Sequence, residues 1–176
     1  MTPEHRELIE RVRASARALA RAVAEVPPGQ ASRPPREGEW SVEETLIHLR
    51  NVVVMVQGLR IRRLFYEADP VFADYDEAAF RRADLAKGEP VGDLIEAIVA
   101  EHGQIARLLS TLPDDAWRRT GHHPELGPMA IELLARRVGE HTAEHADQIA
   151  ATARGLGSSP CAPSAPPAID DPEPAC

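Results

Sequence analysis

Three of the seven histidines stand where a helix normally buries an aliphatic side chain. His141 and His145 share a helical stripe with Ile131, Leu134, Val138 and Ile149. Their spacing of four puts both imidazoles on one face, one turn apart. His48 interrupts a second apolar stripe, Thr45, His48, Val52, Met55 and Leu59. Burying an imidazole without a partner costs roughly 1 to 3 kcal/mol, so three such interruptions ask for one explanation. A single divalent ion held at N–metal distances near ~2.1 Å supplies it. The competing explanation is a set of core or rim histidines satisfied by hydrogen bonds. Three neutral ligands would leave positions open for water or substrate, as in catalytic rather than structural metal sites.

Other residues compete for a role. Glu144 precedes a candidate ligand and is the candidate catalytic base, or a group that orients a histidine; the plainer reading is a solvent-facing helix residue. His141-Thr-Ala-Glu-His145 fits the H-x-x-E-H pattern of one metalloprotease class. The chain that follows leaves little room for a third ligand on a later helix. His102 lies on a stripe with Ile95, Ile98, Ile105 and Leu109 and is expected at the rim, with a role as fourth ligand or as a support behind the ligands as the alternative. His122 and His123 read as parts of a structural loop, and His5 as exposed in the first helical turn. Trp40 is expected to act as a hydrophobic staple at the end of the bundle.

The elements that must position these residues are helical. Leu8, Ile9, Val12, Ala16, Leu19, Val23 and Val26 predict a first helix over 3–26, ended by Pro27, Pro28 and Gly29. Ser41 and Glu44 form a capping box that opens a second helix running to about Phe65, with Val52 to Val56 expected to be buried on more than one side. A long connection, 66–90, carries a possible short helix from Asp76 to Ala86. A third helix spans 91–112. Gly127-Pro128 resembles an N-cap and N1 proline, so the fourth is expected from there to about Arg154.

At ~1.5 Å per residue, His48 lies about 10 Å from the start of its helix, and the pair about 16 Å from the end of the fourth helix and about 22 Å from its start. The three meet best if these helices are antiparallel. One long crossover between helices two and three produces that arrangement. The expected fold is therefore all-α, a four-helix bundle over 1–155. The segment 156–176, with its prolines and both cysteines, Cys161 and Cys176, reads as a disordered tail.

Composition excludes several classes. A formal charge of −8 argues against nucleic acid as a partner. No apolar run is long enough for a membrane span and the N-terminus lacks the pattern of a signal peptide, so a cytoplasmic location is expected. With 4% aromatic residues, Leu, Ile, Val and Ala must fill the core, which suits helix packing.

The segments Gly38-Glu-Trp-Ser-Val-Glu-Glu-Thr-Leu-Ile-His-Leu49, His123-Pro-Glu-Leu-Gly-Pro128 and His141-Thr-Ala-Glu-His-Ala-Asp-Gln-Ile149 resemble those of the DinB/YfiT-like family of metalloenzymes. The likeness spans about residues 4–154. It implies an up-down-down-up four-helix bundle, often a homodimer, with His48, His141 and His145 on zinc, nickel or a similar ion. Some relatives are thiol S-transferases or isomerases that use a low-molecular-weight thiol; an open site of this kind could lower the pKa of a bound water or thiol, so hydrolysis or thiol transfer on a small molecule is expected. A metal- or ligand-binding dimeric bundle without turnover is the alternative.

Overall fold

The computed structural model describes residues 1–157. The expected tail, 158–176 with Cys161 and Cys176, lies outside the described residues. Helix α1 spans Pro3–Ala24, with the Thr2 hydroxyl accepting from the His5 amide and proline in the first turn. Helix α2, Val42–Arg50, opens on the expected capping box: Ser41 Oγ accepts from Glu44 N, and Ser41 N donates to the Glu44 carboxylate. A π-helical segment, Asn51–Gly58, continues it into α3, Leu59–Tyr66. The connection carries α4, Glu77–Leu85, capped by Asp76 through the Ala79 amide. Helix α5 spans Val91–Ser110 and α6 spans Ile131–Gly157.

These elements make the expected all-α four-helix bundle, α2 and α3 acting as one arm. His48 meets His141 at one level, and further down the arm Arg60 reaches Met129, just before α6 begins. The arm and α6 are therefore antiparallel. Val42 and Val91 line one cleft near the starts of α2 and α5, while Arg62 meets Glu101 farther along, so these two run together. Glu4 and His5 lie by Glu132 and Arg136, and Gly139 faces Arg11 and Val12, so α1 and α6 also run together. The course is up-down-down-up.

Two expectations need correction. Residues 127–130 are not the first turn of the last helix. They form strand β2, Gly127–Ala130, paired antiparallel with β1, Thr120–His123. Gly127, at φ 72°, supplies the left-handed conformation for the hairpin rather than an N-cap. His123 closes the turn, its Nδ1 accepting from the amides of Glu125 and Leu126. The hairpin also holds the start of the crossover, because Phe72 N donates to His122 O and His122 N to Pro70 O.

The second correction concerns the arm's buried face. The stripe through Val52, Met55 and Leu59 does not continue inward: Met55 is 51% and Leu59 49% exposed. The i→i+5 bonding of the π segment turns the face, and Val53, Gln57, Gly58, Arg60, Ile61 and Leu64 are buried instead. Val52, Val54 and Val56 are only half-buried. The turned face brings Gly58 against Glu101, a buried carboxylate held by both Arg62 terminal nitrogens at 2.6 and 2.8 Å.

A β-carbon at Gly58 would overlap Glu101 Oε1 and sit 2.8 Å from Val53 O. Neither neighbour yields easily, one being ion-paired and the other backbone. Gly58→Ala should therefore destabilise the fold by about 1–3 kcal/mol, read as a lower urea midpoint at unchanged slope. An unchanged midpoint would mean that this approach is not tightly packed.

Candidate metal centre

The antiparallel pairing of arm and α6 lays the second turn of α2 over the middle of α6. His48 is 6% exposed, and His141 and His145 are half-buried. One ring nitrogen from each lies within 4.8 Å of the others. His48 Nε2 and His141 Nε2 are 3.1 Å apart, and the three rings meet edge-on with centroids 4.5 to 5.2 Å apart.

The contact between His48 and His141, at hydrogen-bond distance without an ion, also has the spacing of two ligands on one metal. Nitrogens ~2.1 Å from one ion are about 3.4 Å apart in a tetrahedron and about 3.0 Å apart at adjacent corners of an octahedron. The 3.1 Å separation of His48 and His141 falls between these. The donor set is one that suits zinc, nickel or another borderline ion.

Contacts on the outer side of each ring matter as much. His145 Nδ1 lies 2.8 Å from Gln148 Oε1, which can only accept, so the proton sits on Nδ1 and the Nε2 lone pair is free. On His48 the outer nitrogen, Nδ1, is buried and 3.3 Å from Glu77 Oε1, but off the hydrogen-bond direction, so it has no hydrogen-bond partner among the described residues. Trp40 tilts against His48 with centroids 5.1 Å apart, and the Arg81 guanidinium lies over the indole at 4.5 Å. Trp40 thus walls the centre, beyond the stapling role expected of it.

Glu77 and Arg81 both come from α4, the helix inside the crossover. Buried Asp84 seats that helix on the arm: Asn51 Nδ2 donates to it at 2.8 Å, Arg50 pairs with it at 3.1 Å and Lys87 closes the group. Burial alone would push the Asp84 carboxyl up, but the hydrogen bonds from Lys87 and Asn51 and the charge of Arg50 outweigh it and hold the group low.

Burial keeps His48 and His141 neutral and ready to donate lone pairs. Burial, then the neighbouring His145 and Arg81, lower His48 to about 4. Burial, then His145 and His48, lower His141 to about 4.

The other histidines fall away from the cluster, and Glu144 stays beside it on the solvent side. His102, expected at the rim, is fully buried and uses both nitrogens. Nδ1–H donates to Ile98 O at 2.8 Å, which leaves Nε2 to accept from the Thr142 hydroxyl at 2.9 Å. It braces α6 beside His141 and is not a fourth ligand in this arrangement. Glu144 is exposed, and only its charge is felt, at His141. His5, expected to be exposed, stacks flat on Trp117 at 4.1 Å and contacts Asp114. His123 is buried with Nε2 3.0 Å from Asp74.

Glu77, Arg81 and Gln148 were not singled out by the sequence. Gln148 carried a local signal, being three residues beyond His145 on the same helix face. Glu77 and Arg81 carried none, because only the docking of α4 brings them to His48.

Fold and site together define a helical bundle with an open three-histidine centre. Residues 9–149 match the family model for the DinB superfamily, and the chain belongs to that superfamily. It is 30% identical over 146 residues to YfiT of Bacillus subtilis (strain 168), named "Putative metal-dependent hydrolase YfiT", covering 80% of this chain and 79% of that protein. The solved structure of YfiT, described as having an unusual four-helix bundle topology, superposes with a TM-score of 0.79 at 24% identity over 90% of this chain and 91% of that one.

The lowered imidazoles set a pH dependence for the metal-free protein. In the unfolded chain each titrates near 6.5, and in the fold near 4. Between those values the unfolded state takes up more protons, so stability is full above about pH 6.5 and falls as pH drops towards 4. The urea midpoint should be lower at pH 5 than at pH 7.5, and His48→Gln with His141→Gln should flatten that difference. A midpoint that does not move over this range would show that the rings are not held neutral.

Proposed function

We propose that His48, His141 and His145 hold one divalent ion, zinc or nickel, and that the protein is a metal-dependent hydrolase acting on a small molecule. The observation that carries this is the convergence of three imidazole nitrogens within 4.8 Å on a half-buried surface of the bundle. Membership of the superfamily and the name of the Bacillus subtilis relative support it.

When bound, the ion would polarise a substrate oxygen and lower the pKa of a water or thiol towards ~7. The chain's own residues supply the rest. Gln148 fixes the tautomer of His145, Trp40 shields His48 from water, and His102 with Thr142 holds α6 in register. Glu144 stands on the turn between the two α6 histidines and is assigned the proton transfer, from the solvent side. Beside the centre lies a cleft of about 610 Å³ lined by Arg33, Arg36, Trp40, Gln148 and Thr152, large enough for a small-molecule substrate. Thiol transfer from a low-molecular-weight thiol is the second reaction class for the same centre.

Purified protein should carry close to one equivalent of metal, and His48→Ala should lose most of it. Glu144→Gln should keep the metal and lower turnover 10²- to 10⁴-fold in whichever assay of an ester, amide and thiol-conjugation panel responds. Absence of stoichiometric metal, or a metal content indifferent to His48→Ala, would reject the triad. A loaded protein silent across the panel would leave a binding bundle without turnover.

Among the described residues no helix is long and apolar enough to cross a membrane. We further propose that the protein is a cytoplasmic homodimer. Support for the dimer is the exposed group of Met55, Leu59 and Phe80, which borders a shallow apolar cleft. Sedimentation of the full chain should give a dimer, and Leu59→Glu should shift it to monomer; a monomeric parent would remove this part of the proposal.

A further inference from the structure

We infer that Glu77, carried by the crossover helix α4, is a positioning residue for the metal centre: it accepts the Nδ1 proton of His48 and thereby couples metal binding to the docking of α4. The inference rests on the three-histidine reading above.

A neutral imidazole has one N–H and one lone pair. If Nε2 of His48 donates its lone pair into the cluster, the proton must sit on Nδ1, at the far side of the ring. That nitrogen is buried and makes no hydrogen bond. The acceptor that stands beside it is Glu77 Oε1 at 3.3 Å, misaligned but within reach of a small side-chain rotation. His145 has the matching arrangement already made, Nδ1–H to Gln148 Oε1 at 2.8 Å. The two differ in origin: Gln148 is one helical turn from its histidine, whereas Glu77 comes from a separate helix.

Glu77 has few other duties. It is 45% exposed and among the described residues makes no ion pair other than the His48 contact, so its carboxylate is not committed to holding the fold. Its place in the first turn of α4 is set instead by the Asp76 cap and by the buried Asp84 group on the arm. A carboxylate behind a ligating imidazole raises its basicity and fixes its ring, and removing such a group typically weakens metal binding 10- to 100-fold. Because Glu77 rides on α4, the same hydrogen bond would tighten α4 against the arm whenever His48 is engaged by a metal.

The test measures Zn²⁺ affinity of the full chain by competition with a chromophoric chelator, alongside hydrogen exchange of residues 77–85 with and without Zn²⁺. Glu77→Ala should weaken binding 10- to 100-fold, with Glu77→Gln between it and the parent, while Arg82→Ala, an exposed change on the same helix, should leave affinity within twofold. Zn²⁺ should slow exchange in α4 of the parent and not of Glu77→Ala, and the His48 Nδ1–H resonance of the loaded protein should shift in Glu77→Gln. Should Glu77→Ala bind within twofold of the parent with that resonance unmoved, Glu77 is only a surface residue near the site and the inference falls while the triad stands. A parent that binds no Zn²⁺ overturns both together.

Discussion

Imidazoles cannot be buried without partners at low cost, and the antiparallel contact of the α2–α3 arm with α6 is what gives His48, His141 and His145 one another. Their nitrogens face inward within 4.8 Å, and burial holds His48 and His141 neutral, with values near 4. The bundle is arranged around this contact. Helix α5 braces α6 through the His102–Thr142 hydrogen bond, and α1 packs along α6 at Gly139. A polar cluster in a low-dielectric interior specifies one alignment of its helices, because any slip leaves nitrogens without partners.

The crossover serves topology and chemistry at once. Reaching from the end of α3 to the start of α5, it lets the second pair of helices reverse course, so that α2 and α6 are antiparallel. On the way it is clipped to the hairpin at Phe72 and His122, then seated on the arm by Asp84, and it delivers Glu77 and Arg81 to the far side of His48 and Trp40. A connection that only had to span the bundle would need none of these anchors.

The π segment makes a similar exchange lower in the arm. By turning the buried face it releases Met55 and Leu59 to the surface and brings Gly58 and Arg62 to Glu101. His48 lies one turn before that change of register, in regular α-helix, so its orientation towards α6 is set by α2 alone.

Much of this was legible in the residues themselves. Capping at Ser41, the stripes of α1, α5 and α6, and the four-residue spacing of His141 and His145 are local properties, fixed by helical periodicity and by hydrogen bonds between near neighbours. The convergence of His48 on that pair was legible too, because helix lengths and the length of the crossover constrain which ends can meet. The hairpin at 120–130 was not, since its glycine and proline satisfy a helix start as well as a turn, and only pairing with a distant stretch of chain decides between them. Nor was the register after Val52, where a helix of mostly apolar residues has no single preferred face until α5 presents Glu101. Above all, Glu77 could not be seen beside His48: a carboxylate on a short amphipathic helix looks like any solvated charge, and its position depends on how α4 docks through the buried Asp84. Sequence alone determined the apolar stripes of α1, α5 and α6 and the pairing of His141 with His145, and the tertiary structure decided what stands behind them, because those contacts join segments with no shared local pattern.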